Sequence, residues 1–190
     1  MSLRSDTLKL SRMQAVATRP AGALNNVLKV ALIAGTVAFL TIIGWNLRDK
    51  TVQEGDRAPA FSVRTDQGQE ITPEHFGGKV LVLNFWATWC APCLTEIPSL
   101  NEFQHKFGDK GVVVLAVSVD KNSDKYKRFL QRFKLGFETY RDPNSDISTS
   151  YGTFQYPETY IIKDGRVMRK YISDQNWLSS DIDQYVQSLL

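Results

Sequence analysis

Apolar residues form three kinds of pattern along the chain, and each predicts a different element. An uncharged run from Val30 to Leu47 approaches the ~20 residues that a helix needs to cross a bilayer. A shorter, nearly continuous apolar run, Val80–Trp86, has the length of a strand and fits one that is buried on both faces. From Ala91 to Phe107, apolar side chains instead recur at three- and four-residue steps, which predicts an amphipathic helix.

The rest of the chain continues the strand and helix patterns. The apolar face of the 91–107 helix is predicted to hold Leu94, Ile97, Leu100, Phe103 and Phe107. Further strands are predicted at 61–64, 69–71, 112–119, 137–140, 159–163 and 167–171, and further helices at 123–133, 146–151 and 177–190. Because strands and helices first alternate and a hairpin at Asp164-Gly165 follows, the order predicts one α/β sheet with helices on both faces.

Positive charge is concentrated ahead of the long apolar run. Residues 1–29 hold five basic side chains and one acid, whereas the whole chain has a formal charge of +3, so the remainder is close to neutral. A neutral body argues against nucleic-acid binding. The positive-inside rule predicts a cytoplasmic leader at 1–29, a transmembrane anchor at 30–47, a linker at 48–58 and an extracytoplasmic domain at 59–190.

Two other interpretations fit the apolar run less well, namely a buried core helix and a cleaved signal peptide. A buried core helix normally shows a polar stripe, which this run lacks. A cleaved signal peptide has a shorter apolar region and an A-x-A-like cleavage site, and no clear one follows here. A single span in the cell membrane, with the C-terminal domain in the periplasm or its equivalent, is therefore the prediction.

Both cysteines lie in one motif, Trp89-Cys90-Ala91-Pro92-Cys93, between the predicted buried strand and the first turn of the helix. Free backbone N–H groups and the positive end of the helix dipole stabilise an anion at Cys90. A thiolate is the nucleophile of disulfide exchange, so we expect an exposed, reactive Cys90 sulfur with Cys93 one turn deeper on the same face. Pro92 fits because N–H groups in a first helical turn have no intrahelical partner.

Two other roles for the cysteine pair carry less weight. A structural disulfide across three residues closes a very small loop and removes little chain entropy. Half of a metal site would need His75 or His105 to complete it, and neither has close ligand spacing. No metal is therefore predicted, and the only redox group expected is the Cys90–Cys93 disulfide itself.

Further motifs accompany the cysteines. They are Gly55-Asp56-x-Ala58-Pro59-x-Phe61, the stretch 84–93 with Glu96 and Pro98 after it, and Tyr156-Pro157-Glu158-Thr159. Together they resemble the thioredoxin superfamily, and more closely the membrane-anchored thioredoxin-like reductases of the TlpA, ResA and CcmG group, from about Gly55 to the C-terminus. The resemblance implies a mixed central sheet flanked by helices, with an N-terminal extension and a central helical insertion at about 121–142.

The resemblance also implies roles for single residues. Pro157 matches the cis-proline that lies against the CxxC loop and, with Tyr156 and Trp89, is expected to contact substrate. The alternative is a trans-proline at a strand edge. Glu96 matches an acid that, if buried, exchanges protons near Cys93, and the alternative is a solvated acid in the first turns of the helix.

Two departures from the family pattern stand out. Asn84 occupies the position of thioredoxin's buried aspartate, so a proton relay there has to use another group, and Glu96 is the candidate. The glycine that usually follows the last strand is absent from the sequence Tyr171-Ile172-Ser173-Asp174. The backbone conformation at this point is therefore not predicted. The insertion is expected to be mainly core.

The expected function is a membrane-tethered reductase of protein disulfides outside the cytoplasm. By resemblance, its substrates include apocytochrome c, whose CxxCH thiols must be reduced for haem attachment, and its electrons come from a membrane dithiol transporter. A disulfide oxidase or isomerase of the same fold is the alternative, because two intervening residues do not fix a reduction potential. A copper chaperone is disfavoured by the CxxC spacing, and a thiol peroxidase by the absence of a threonine-containing peroxidatic motif.

Overall fold

The computed structural model describes residues 21–46 and 51–190, and side chains from residue 25 to 44 and from 51 onward. Most of the predicted basic leader, Leu47 and the first residues of the predicted linker lie outside the described residues. The chain divides into two compact units, residues 1–48 and 49–190, which are described separately here.

The N-terminal unit contains helix α1, Ala21–Asn46. Its most apolar part, Asn25–Gly44, has a mean hydropathy of 2.2 over 20 residues, and none of that part is buried. Twenty residues of α-helix measure about 30 Å, the thickness of a hydrocarbon core. The candidate span thus begins five residues before the predicted Val30 and includes Lys29. The length and composition fit a membrane span, and a signal sequence meets the same criteria.

The C-terminal unit is built on a five-stranded mixed sheet. Its strands are β3 (Val80–Trp86), β4 (Val112–Ser118), β5 (Glu138–Arg141), β6 (Glu158–Lys163) and β7 (Arg166–Ile172), in the order β5-β4-β3-β6-β7. Strands β3, β4 and β5 are parallel, and β6 and β7 run antiparallel to their neighbours. A separate hairpin pairs β1 (Val63–Arg64) with β2 (Glu70–Ile71).

Helices connect and cover the strands. They are α2 (Ala91–Phe107), α3 (Ser123–Phe133), α4 (Asp146–Ser150) and α5 (Ser180–Leu189), and a short 3-10 turn at Gly108–Lys110 follows α2. Because α2 returns the chain between two parallel strands, its N-terminus lies at the carboxyl end of β3. The predicted α/β order is confirmed, with element ends shifted by a few residues.

The central strand β3 is buried along its whole length because its two faces belong to different cores. Val80, Val82 and Trp86 pack in a cluster with residues of α2, α3 and α5. Leu81, Leu83 and Phe85 pack in a second cluster that includes Tyr151 and Tyr160. A strand covered on both sides has a nearly continuous apolar sequence, which explains the pattern of β3.

Some details differ from the sequence expectations, and one position that they left open is now defined. Leu94, which was predicted on the apolar face of α2, is 37% exposed, and Phe133 at the end of α3 is 49% exposed. Helix α5 begins at Ser180, whereas Trp177 is fully buried in the segment before it. Ser173 adopts a left-handed conformation (φ 73°), so it takes the kind of backbone geometry that a glycine would favour.

Candidate active site

The cysteine pair lies where β3 ends and α2 begins. Cys90 is the N-cap residue of α2, and its Sγ accepts a hydrogen bond from the backbone N–H of Cys93 at 3.2 Å. The two cysteines are joined as a disulfide. The sulfur of Cys90 therefore faces the unpaired N–H groups at the positive end of a 17-residue helix, a place that stabilises a thiolate once the disulfide is reduced.

The two sulfurs differ in access. Cys90 is 5% exposed and Cys93 is fully buried. The expectation of an exposed Cys90 is therefore wrong for this oxidised form, in which its sulfur is bonded to Cys93 and caps the first turn of α2. Because Cys90 retains a little exposure and Cys93 has none, Cys90 is the more accessible of the two cysteines to an incoming molecule.

The loop that leads to Cys90 is fixed by a buried carboxylate that the sequence did not reveal. Asp120 accepts hydrogen bonds from the Thr88 backbone N–H (2.8 Å) and the Thr88 hydroxyl (2.7 Å). The Ser118 hydroxyl donates to the same carboxylate at 2.7 Å. Asp120 follows β4 and Thr88 follows β3, so the parallel pairing of these strands brings the two loops together. An acid directly after a buried strand was the available signal.

A second loop lies against the cysteine loop. The Tyr156–Pro157 peptide bond is cis, and Pro157 is buried at the start of β6. The rings of Tyr156 and Trp89 meet edge to face with centroids 6.1 Å apart. Trp89 is 67% exposed, so it borders the cysteines as a surface side chain. The backbone N–H of Ser173 donates to the Pro157 carbonyl at 3.0 Å and thereby joins the turn after β7 to this loop.

Glu96 lies three residues after Cys93 and is buried, so the alternative of a solvated acid is wrong. Its Oε1 accepts a hydrogen bond from Asn84 Nδ2 at 2.8 Å. Its Oε2 accepts from the Trp177 indole N–H and the Gln175 backbone N–H, each at 3.1 Å. Burial raises the pKa of Glu96 to about 6, and these hydrogen bonds, which favour the carboxylate, oppose that rise.

Asn84 links the acid to the second loop. Besides Glu96, its amide donates to the Thr159 hydroxyl at 2.8 Å, two residues after Pro157. Asn84 therefore acts as a hydrogen-bond donor to both side chains, and among the described residues Glu96 is the carboxyl group that it contacts.

The chain is similar to known proteins in both sequence and fold. The chain matches the AhpC/TSA family over residues 54–171, which is more than half of its length. The chain belongs to the AhpC/TSA family. Its similarity to curated relatives extends further, because the thiol-disulfide oxidoreductase ResA of Bacillus thuringiensis is 30% identical over 167 residues, covering 87% of this chain and 95% of the relative. ResA of Geobacillus thermodenitrificans is 34% identical, covering 83% and 90%.

Solved structures agree with this family assignment. The thiol:disulfide interchange protein DsbE of Chlorobium tepidum has a TM-score of 0.66 and 27% identity, covering 73% of this chain and 99% of that one. StoA of Bacillus subtilis, with a TM-score of 0.58 and 21% identity over 68% of this chain, supports the fold alone. This member of the family therefore has a thioredoxin-like fold and is a thiol-disulfide oxidoreductase of the ResA and DsbE type.

Glu158, the residue after the cis-proline Pro157, is another buried carboxylate in this domain. Glu158 is fully buried, and its Oε1 lies 2.9 Å from Lys170 Nζ. The Tyr160 hydroxyl donates to the same oxygen, and the Thr153 hydroxyl does so at 3.2 Å. Its Oε2 has no hydrogen-bond partner among the described atoms. The sequence marked Glu158 only as part of the family motif, because Lys170 lies on the neighbouring strand β7.

Within residues 25–44 and 51–190, no group of three or more His, Cys, Asp or Glu side chains is placed to hold a metal ion. His75 and His105 are both exposed, and they lie on different segments.

Proposed function

We propose that this protein is a membrane-tethered reductase of protein disulfides, with its domain outside the cytoplasm and Cys90-Ala91-Pro92-Cys93 as its redox centre. The observation that carries the proposal is the position of the Cys90–Cys93 disulfide at the N-terminus of α2, beside a cis-proline loop. The thiol-disulfide oxidoreductases to which the chain is similar support the same chemistry.

The reaction needs two half-cycles. A dithiol donor first reduces the Cys90–Cys93 disulfide by two electrons and is itself oxidised to a disulfide. In the second half-cycle, the Cys90 thiolate attacks a substrate disulfide, and one substrate sulfur leaves as a thiolate that takes up a proton. Cys93 then loses its proton and attacks the Cys90 sulfur, which releases the second substrate sulfur and restores the disulfide.

Glu96 is proposed to handle the proton of Cys93. It lies about one helical turn after Cys93, and it is buried among neutral hydrogen-bond donors. A carboxyl group with a pKa of about 6 is largely ionised at neutral pH and can still accept a proton without a large energetic cost. Within residues 51–190, Glu96 is the carboxyl group that accepts a hydrogen bond from Asn84, which by resemblance occupies the position of thioredoxin's aspartate.

Trp89, Tyr156 and Pro157 are proposed to receive the substrate chain. The two aromatic side chains lie on opposite loops and contact each other next to the cysteines. A substrate segment in an extended conformation can pair with backbone groups of the Pro157 loop while its disulfide meets Cys90. Apocytochrome c is the proposed physiological substrate, and a membrane dithiol transporter the proposed donor.

Trapping tests the proposal directly. In a Cys93→Ala variant of the full chain, Cys90 should hold its partner as a mixed disulfide in the native membrane, and the partner can then be identified by mass spectrometry. A Cys90→Ala variant is the matched control and should trap nothing. It should also lose insulin-disulfide reduction, and full reduction by this variant would contradict the mechanism.

The direction of electron flow and the topology need separate measurements. Equilibration with a glutathione redox couple should give a reducing potential for the Cys90–Cys93 pair, whereas a strongly oxidising one would favour the oxidase. Protease added to intact spheroplasts should degrade residues 51–190 if the domain is extracytoplasmic. Protection of that domain would contradict the proposed orientation.

A further inference from the structure

A groove beside the active-site loop is lined by helix α3. It has a volume of about 660 Å³, and its lining includes Thr88, Lys125, Arg128, Arg132, Phe129 and Phe133. Thr88 belongs to the loop that Asp120 fixes, two residues before Cys90. The groove therefore continues from the cysteine motif along the surface of the insertion.

Helix α3 has two different faces. On the inner face, Phe129 and Tyr126 pack against Trp86, with ring centroids 5.0 and 6.2 Å apart, which accounts for the core role expected of the insertion. On the outer face, the ring of Phe133 stacks on Phe129 at 4.3 Å and remains half exposed. The guanidinium of Arg132 lies 5.6 Å from the centre of the Phe133 ring. The groove thus has an aromatic floor with cations around it.

The charge on α3 opposes that of the rest of the domain. Residues 51–190 hold 16 basic and 18 acidic residues, a formal charge of −2. Residues 121–134 alone hold six of those basic residues and one acid, a formal charge of +5. Within the described part of the domain, no ion pair neutralises Lys125, Arg128 or Arg132. Such concentrated and uncompensated charge selects partners of opposite sign.

We infer that this groove docks an acidic polypeptide segment of the substrate protein, next to the disulfide that Cys90 attacks. Carboxylates of the segment meet Lys125, Arg128 and Arg132, and an apolar side chain packs on Phe133. The inference rests on the proposed function and adds the chemistry of the substrate to it. Because the lining includes Thr88 of the cysteine loop, whatever binds there lies beside the redox centre, as a segment of the polypeptide that carries the substrate disulfide must.

The test compares two disulfide peptides that differ only in the residues flanking the disulfide, four glutamates or four lysines. The reduced full chain in detergent is mixed with each peptide, and the second-order rate constant of exchange is measured. Each rate is divided by the rate with oxidised dithiothreitol, an uncharged small disulfide, so that any general change in cysteine reactivity cancels. The glutamate peptide should react about tenfold faster at low salt, and the ratio should fall in 0.5 M NaCl.

Two double variants locate the effect. In Arg128→Gln/Arg132→Gln, the glutamate-to-lysine ratio should drop to about two or less. The control Lys79→Gln/Lys110→Gln removes the same charge from exposed residues at the opposite end of β3 and should keep the native ratio. Equal rates for the two peptides in the native protein, or an unchanged ratio in Arg128→Gln/Arg132→Gln, would overturn the inference.

A binding measurement separates this inference from the proposed function. A labelled glutamate peptide with serines in place of its cysteines should bind the full chain, as seen by fluorescence anisotropy, and Arg128→Gln/Arg132→Gln should weaken it about tenfold. If the protein exchanges no disulfide at all, the proposed function fails. Binding of the serine-containing glutamate peptide still tests whether the groove docks an acidic segment. If phosphatidylglycerol micelles bind in an Arg128- and Arg132-dependent manner and the peptide does not, the surface binds lipid and the inference is overturned.

Discussion

Glu96 and Glu158 are both buried, but their hydrogen-bond and ion-pair partners differ. Glu96 is surrounded by neutral donors, namely an amide, an indole and a backbone N–H. Glu158 is buried just as deeply, but a lysine ammonium lies 2.9 Å from it. A cation compensates a buried negative charge and holds it in place, whereas neutral donors do so only in part. We therefore propose Glu96 as the group that exchanges protons, and the Glu158–Lys170 pair as a support for the cis-proline loop.

The largest effect is expected when Lys170 is changed to methionine. Glu158 then remains buried without its cation, which should lower the free energy of unfolding by about 3–5 kcal/mol. Urea denaturation of the oxidised full chain measures this. The double variant Glu158→Gln/Lys170→Met removes both charges and should recover at least half of the loss. A loss below about 1 kcal/mol in Lys170→Met would show that the pair does not support the fold.

Glu96→Gln should change how stability depends on pH. The folded-state pKa of about 6 lies above the ordinary value of 4.5, so the protonated acid is favoured by the native state. The corresponding stabilisation is complete below pH 4.5 and is lost as the pH rises through 6. At about 1.36 kcal/mol per pKa unit, the glutamine variant should gain roughly 2 kcal/mol relative to native protein between pH 4 and pH 7. A pH-independent difference in urea denaturation would contradict the assigned environment.

Trp177→Phe removes one of the neutral hydrogen-bond donors to Glu96. The indole N–H donates to Glu96 Oε2 at 3.1 Å and favours the charged carboxylate. Phenylalanine keeps the ring but removes the donor, so the pKa of Glu96 should rise further above 6. A carbonyl infrared or NMR titration of the oxidised protein measures the midpoint. A midpoint that falls or does not move would mean that the indole does not act on Glu96.

Trp89→Ala is expected to have the smallest effect on stability. Its side chain is mostly exposed and contacts neither glutamate, so the free energy of unfolding should stay within about 0.5 kcal/mol of native. The rate of exchange with a peptide disulfide should nevertheless fall several-fold, because part of the proposed substrate surface is removed. Oxidised dithiothreitol, which is too small to need that surface, is the control substrate. Equal losses for both substrates would contradict a substrate-binding role.

The sequence was sufficient wherever the relevant pattern is local. The apolar run of β3, the periodicity of α2 and the cysteine pair between them are all encoded within about 30 residues. Contacts between distant segments were not predictable from such patterns. Asp120 reaches Thr88 only because β3 and β4 pair in parallel, and a single sequence does not state which strands are neighbours.

Trp177 illustrates the same limit. The apolar pattern predicted that the closing helix starts at Trp177, yet α5 begins three residues later. Its indole instead bonds to Glu96, which lies 81 positions away in the sequence. Exposure is also set by distant segments. Phe133 continues the apolar spacing of α3, but its side chain is half exposed.

We propose that the N-terminus of α2 makes Cys90 the attacking thiolate. The most direct measurement is the pH dependence of iodoacetamide alkylation in the reduced full chain, with the modified residue identified by mass spectrometry. Cys90 alone should be alkylated, with a midpoint well below the value of about 8.5 for a free thiol. A Cys90 midpoint near 8.5, or faster alkylation of Cys93, would contradict it.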